Sequence, residues 1–197
     1  AGTKRTYKYN DLELLIDLEV DQKHFVYDYY PSGQIKTLTY PNLSDGRLLT
    51  CNLTYDNAKR IKTKIYTIGS FKLIGFDYTY DANSNITAIG ETRGQGIRTQ
   101  KNYSYNKLDQ LDTTSLSSGA NISYSYDSRG NRTKMIGPIM TIPEVGTSTY
   151  AWNNWDQLTK IQRDGIVQSN MKYYAQGIRT EKISAGKTTK YFTDQSE

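Results

Sequence analysis

Cysteine, histidine and proline are nearly missing from this chain, with one, one and four residues among 197. A single Cys51 closes no internal disulfide and builds no Cys-x-x-Cys metal site. Beside Asn52 and Leu53 at a strand start, it reads as a half-buried small residue rather than a nucleophile. A lone His24 forms no histidine cluster, and no Ser or Cys partner motif completes a triad. No metal or cofactor is therefore expected. No apolar run reaches the roughly 20 residues of a membrane-spanning helix. Nor has Ala1-Gly2-Thr3-Lys4-Arg5 the apolar stretch of a signal peptide. Hydrophobic residues make up only 36%, with a mean hydropathy of -0.72, which is too little for a sandwich with a dry interior. Charge of one sign is scarce too. The net +5 divides as +2 over residues 1–98 and +3 over 99–197, with no basic stripe, so nucleic acid is not an expected partner.

What the chain does have is tyrosine, 18 residues of it, and the tyrosines recur in order. A unit of aromatic-x-aromatic-Asp/Asn begins at Tyr7, Tyr27, Leu53, Tyr78, Tyr103, Tyr124, Tyr150, Met171 and Tyr191. The steps between these anchors are 20, 26, 25, 25, 21, 26, 21 and 20 residues, the signature of a repeat array. Two positions on stand Tyr9, Tyr29, Tyr55, Tyr80, Tyr105, Tyr126, Trp152, Tyr173 and Thr193. Residues two apart on a strand share a face, so each unit sets two bulky groups side by side. Next comes a turn former, Asn10, Asp56, Asp81, Asn106, Asp127, Asn153 or Asp194, with Tyr30 and Tyr174 as exceptions. Three residues later the chain has Gly33, Gly130 or Gly177, or else Glu13, Lys59, Ser84, Asp109 or Asp156, where a positive φ suits a short hairpin loop. A returning strand is then expected from Leu15, Ile35, Ile61, Ile86, Leu111, Arg132, Leu158 and Arg179. The predicted fold is all-β, a continuous sheet of antiparallel hairpins. It is wetted on at least one face and held by cross-strand Tyr and Thr pairs. One array spans 1–197, with eight complete hairpins and a ninth cut short.

Three local readings need deciding. Asp81-x-Asn83-x-Asn85 spaces oxygens as a calcium loop begins, but Ile86 and Thr92 stand where that loop needs Gly and Glu, so turn chemistry accounts for it. Asp11 to Asp21 holds Leu12, Leu14, Leu15, Ile16 and Leu18 and resembles an amphipathic helix, yet its place in the first repeat predicts strand. Gly137 to Gly146, with Pro138 and Pro143, is expected to be a loop or an edge excursion.

The segments Tyr124-Ser125-Tyr126-Asp127-Ser128-Arg129-Gly130-Asn131-Arg132, Tyr78 to Ile86 and Tyr27 to Ile35 resemble the YD repeats of the RHS family, Tyr-x-Tyr-Asp-x-x-Gly-Asn/Arg-Leu. Leu38-Thr39-Tyr40-Pro41-Asn42 resembles the Thr-Tyr-Pro segment found between such repeats. The resemblance covers essentially the whole chain. It implies a strip of sheet spiralling into a hollow shell, as in Tc-toxin C components, RHS polymorphic toxins, wall-associated bacterial proteins and teneurins. It also implies a secreted or cell-surface, bacterial protein; the absence of a catalytic constellation in the sequence predicts no enzyme activity. The family's Asp-Pro-rich closing segment has no counterpart here, so the chain is expected to be part of a larger polypeptide.

Two functions follow as expectations. The first is a wall segment that encapsulates or presents a toxin or effector cargo, with Tyr7, Tyr9, Tyr27, Tyr29, Gly33, Tyr55, Asp56, Tyr78, Tyr80, Asp81, Tyr103, Tyr105, Tyr124, Tyr126, Asp127, Gly130, Tyr150, Trp152, Tyr173 and Gly177 as scaffold. The second is adhesion to a cell-surface glycan or receptor through Tyr103, Tyr105, Tyr150, Trp152 and Trp155. Trp155 is the better exposed contact, although packing across its own turn is its expected role. Catalysis by paired carboxylates is the distant third, because turn duty accounts for most of them. Unpaired strands at the two ends predict self-association of the isolated chain.

Overall fold

A computed structural model describes residues 3–94, 96–139, 142–174 and 177–192. All seventeen elements among them are strands. Among the described residues no helix is long and apolar enough to cross a membrane, which leaves strands out of account. The strands fall into two compact units, Ala1–Asn102 and Tyr103–Glu197. The first contains β1 (Arg5–Tyr9), β2 (Leu15–Val20), β3 (Lys23–Tyr29), β4 (Ile35–Thr39), β5 (Leu49–Tyr55), β6 (Ile61–Ile68), β7 (Phe71–Tyr80), β8 (Ile86–Arg93) and most of β9 (Ile97–Tyr105). The second contains the end of β9, then β10 (Leu111–Leu116), β11 (Asn121–Tyr126), β12 (Arg132–Ile139), β13 (Ile142–Trp152), β14 (Leu158–Arg163), β15 (Ile166–Tyr173), β16 (Arg179–Ser184) and β17 (Lys187–Lys190). Within each unit every strand pairs antiparallel with the next in the chain.

The repeat dictates these boundaries. Strands β1, β3, β5, β7, β9, β11, β13 and β15 end on the second aromatic of a unit, and their partners start on the expected returning residue, from Leu15 to Arg179. The ninth unit's Thr193 and Asp194 lie outside the described residues. Each turn closes on the same two backbone bonds. In the first, the Asn10 N–H donates to the Leu14 carbonyl at 3.0 Å and the Glu13 N–H to the Asn10 carbonyl at 2.9 Å. The pattern returns at Tyr30, Asp56, Asp81, Asn106, Asp127, Asn153 and Tyr174. The third residue after each has positive φ whether or not it is glycine, from 57° at Asp109 to 88° at Gly130. The returning strand then carries one extra residue, which shifts the register just before the second aromatic. Thr54 faces Thr63 while Tyr55 faces Ile61, and Thr79 faces Ala88 while Tyr80 faces Ile86. Such a bulge sharpens the local twist at each aromatic.

Three of the connectors between hairpins are tight. Asp21-Gln22, Asp164-Gly165 and Ala185-Gly186 are two-residue links with both φ values positive, the hairpin geometry that matches strand twist. Asp11 to Asp21 resolves into a turn and then β2, as the repeat required. The proline segment differs from its expectation. Residues up to Ile139 belong to β12 and residues from Ile142 to β13, with Gly137 facing Gly146 and Ile139 facing Ile142. Pro138 stands at the register break between those pairs, one of the places where a strand tolerates a missing N–H. Met140 and Thr141 lie outside the described residues.

The core is thin. Among the described residues Cys51, Met135 and Met171 are the buried hydrophobic ones, and Thr114, Ser148, Arg163 and Ser169 are buried as well. Cys51 is 2% exposed inside β5 rather than half-buried at a strand start. The opposite face pairs hydroxyls across strands: Thr50 with Thr67 and Thr54 with Thr63 at 2.6 Å, Thr79 with Thr87 at 2.9 Å and Ser104 with Thr113 at 2.7 Å.

Candidate functional site

The second aromatic of each unit has one recurring job. The Tyr29 hydroxyl donates to the Leu15 carbonyl at 2.7 Å, Tyr55 to Ile35 at 2.9 Å and Tyr80 to Ile61 at 2.7 Å. In the second unit Tyr126 donates to Leu111 at 2.8 Å and Tyr173 to Leu158 at 2.9 Å. Trp152 does the same with its indole Nε1, at 2.9 Å from the Arg132 carbonyl. The acceptor is always the first residue of the preceding returning strand, so each ring stitches its hairpin to the one before. The expectation of paired rings captured the position but not the polar tip, because the acceptor is backbone. Tyr9 is 58% exposed.

The Asp or Asn that follows locks the turn. Its Oδ1 accepts from the N–H groups two and four residues on, at 2.9–3.0 Å, in Asn10, Asp56, Asn106, Asp127 and Asn153, and Asp81 accepts from Asn85 at 2.9 Å. The backbone N–H of Arg60, and then its guanidinium, hold the Asp56 carboxyl below its ordinary value. In Asp81 and Asp127 burial pushes the carboxyl up, and the bonds from Asn85 and Asn131 outweigh it, so both are lowered. These carboxylates are spent within their turns. Among the described residues no group of His, Cys, Asp and Glu is arranged to hold a metal ion.

A second set of contacts runs from turn to turn, and the sequence reading missed it. Gln34 Nε2 donates to the Lys59 carbonyl at 3.1 Å, and Arg60 reaches the Asp81 carbonyl at 3.0 Å and Ser84 Oγ at 3.1 Å. Arg129 donates to the Asn153 and Asn154 carbonyls at 3.2 and 3.0 Å, and Asn131 Nδ2 donates to Asp156 Oδ1 at 2.6 Å. The signal was a column: Gln34, Arg60, Asn85, Gln110, Asn131 and Gln157 all follow the positive-φ residue.

The five candidate ligand contacts do not converge. Tyr103 and Tyr105 lie on β9, and Tyr150 and Trp152 on β13, four strands along, a separation of about 19 Å at the usual strand spacing. Tyr103, Tyr105, Tyr150 and Trp152 are half-buried, and the Tyr150 ring carries the Arg132 guanidinium 4.6 Å from its centroid. Trp155 is 71% exposed at its turn tip, so it does not pack across the turn as expected.

The comparisons agree with this geometry. Residues 41–193 match the family described as Teneurin YD-shell. The chain is 32% identical over 120 residues to "tRNA nuclease WapA" of Bacillus subtilis (strain 168), and 31% identical over 120 residues to "tRNA3(Ser)-specific nuclease WapA" of Bacillus spizizenii. Each match covers 60% of this chain and only 4% of the relative. The structure resembles the crystal structure of TcdB2-TccC3-TEV with a TM-score of 0.67 at 12% identity, over 99% of this chain and 12% of that one. A match over residues 41–193, more than half of the chain, makes this protein a member of the teneurin YD-shell family.

Proposed function

We propose that the chain is a stretch of shell wall in a larger, secreted or surface-displayed bacterial YD-repeat protein, and that this wall encloses or presents a toxin or effector domain. Its role is structural, without turnover of a substrate. The observation that carries this reading is the repeated stitch, in which the second aromatic's polar tip is used on the neighbouring hairpin's backbone rather than left for a ligand. The relatives' names make a nucleic-acid-cleaving effector one class of cargo. Limited proteolysis of the parent polypeptide tests the proposal. A cargo domain cut as fast within the parent as when expressed alone would sink it.

A second reading, adhesion to a glycan or receptor, rests on the exposure of Trp155. Glycan-array binding that disappears in Trp155→Ala supports it, and silence at high protein concentration removes it.

A further inference from the structure

One face of β6–β9 carries charged groups that neither the turns nor the aromatic stitches use. Ile65 faces Gly75, Gly75 faces Thr92 and Thr92 faces Arg98, so these positions form one row across four strands. The next row on the same face is Thr63, Asp77, Gly90 and Gln100. Two glycines hollow it. A Cβ on Gly75 would lie 2.8 Å from Lys72 Nζ, and one on Gly90 would overlap the Asp77 carboxylate. Lys72 reaches this face through a bulge. Thr67 faces Lys72 while Tyr66 faces Ile74, so Leu73 is an extra residue, and Lys72 joins the side that Thr67 shares with Ile65 and Gly75. Between the ammonium over Gly75 and the guanidinium of Arg98 stands Thr92, one strand spacing of about 4.8 Å from each backbone. The groove holds about 210 Å³ and is lined in part by Thr63, Ile65, Lys72, Asp77, Thr92 and Arg98.

The charges select a ligand. Arg98 Nη2 donates to Asp77 Oδ1 at 2.8 Å, so that carboxylate already has its partner. Among the described residues no carboxylate stands within ion-pair distance of Lys72. Glu91, between Gly90 and Thr92 on β8, points to the other face and pairs with Arg93. The groove therefore holds one net positive charge, Lys72 and Arg98 against Asp77. A metal ion would meet two cations and a single carboxylate that is already held. An apolar group would find only Ile65 among the side chains of the first row. Phosphate brings more negative charge, and more of it would face Asp77. A carboxylate matches the single net charge, and its two oxygens reach an ammonium and a guanidinium at once. We propose that the Lys72–Thr92–Arg98 groove is a carboxylate-binding site for a peptide, taking either an Asp or Glu side chain or a chain terminus. It lies within the Ala1–Asn102 unit and does not depend on the shell reading.

Amide shift mapping by NMR on the 197-residue chain at low salt tests this. N-acetyl-L-glutamic acid α-methylamide offers only a side-chain carboxylate, and N-acetylglycine only a terminal one. N-acetyl-L-glutamine methylamide and inorganic phosphate serve as comparisons. The expected result is movement of the Gly75, Gly90 and Thr92 amides with a Kd of about 10 mM or tighter, weakening as salt is raised. A response to the glutamyl probe alone assigns a side chain, and one to N-acetylglycine alone a terminus; either supports the site. Lys72→Met should weaken binding by about threefold or more, whereas Asp77→Asn should tighten it by a similar factor, because it removes the one negative charge and frees Arg98. Lys101→Met deletes the same charge from the opposite face of β9 and should leave affinity unchanged. No movement at tens of millimolar, an equal response to the glutamine probe, tighter binding of phosphate than of both carboxylates, equal losses in Lys72→Met and Lys101→Met, or an Asp77→Asn chain that binds no tighter would overturn the assignment.

Discussion

Five of the eight described turns that follow the paired aromatics place a residue with a side chain in the left-handed region: Glu13, Lys59, Ser84, Asp109 and Asp156. An L-residue there costs about 1–2 kcal/mol relative to glycine, partly offset by the greater freedom of glycine in the unfolded chain. Lys59→Gly should therefore raise stability by about 0.5–1 kcal/mol in urea titration. Gly130→Ala should lower it by about 1 kcal/mol, since Gly130 has φ of 88° and an added Cβ would meet Gln110 Nε2 at 3.3 Å. Acid acts on the same turns. The folded carboxyls of Asp56, Asp81 and Asp127 lie below their ordinary value of 3.8. A depressed folded value gives a contribution that is complete above the unfolded value and lost as pH falls through the folded one. Stability should thus hold above about pH 5 and decline below pH 4. The double variant Asp56→Asn, Asp127→Asn should flatten that decline while keeping the turns, because Asn10, Asn106 and Asn153 already make the same bonds.

Between neighbouring hairpins the stitch is the working contact. Tyr80→Phe keeps the ring and removes the donor to Ile61, so it should cost about 1 kcal/mol and raise amide exchange around the Asp56–Ile61 turn. Trp152→Phe should behave alike, and Trp152→Tyr should recover part of the loss, because a phenol fills the same role in five other stitches. The β12–β13 hairpin depends on a different device. Arg163, 5% exposed, sends Nη2 to the Gly137 and Glu144 carbonyls at 2.8 and 3.1 Å and Nη1 to Ser148 Oγ at 3.3 Å. Glycine at 146 is needed beneath it, since a Cβ there would lie 2.6 Å from the Arg163 Cζ. Arg163→Met should strand those acceptors, cost about 1–3 kcal/mol and loosen amide protection over residues 132–152.

At the scale of the whole chain, stability is a sum of small nearest-neighbour terms, as in any repeat array with little non-local packing. In the registers described, β1 pairs with β2 and β17 with β16, which leaves an outer edge on each. The 197-residue chain alone should therefore associate through these edges, with sedimentation shifting to larger species as concentration rises. A single monomeric boundary across a hundredfold range of concentration would contradict it. Truncations at the final strand should shift the association without abolishing the folding of the remaining hairpins.

The spacing of aromatic, Asx and positive-φ residues determined the hairpins, their starts and their turns, because each of those choices is made within about nine consecutive residues. Tertiary structure decided the rest. Which carbonyl each Tyr tip would reach depended on backbone 14 to 20 residues away in an adjacent hairpin, and carbonyls leave no trace in a sequence. The proline segment became strands because Arg163, from the next strand, satisfied carbonyls that a local reading left to solvent. Trp155 is 71% exposed at its turn, which only the tertiary structure decided. Local pattern sets backbone geometry, whereas burial and the pairing of polar tips are settled only when one hairpin lies against the next.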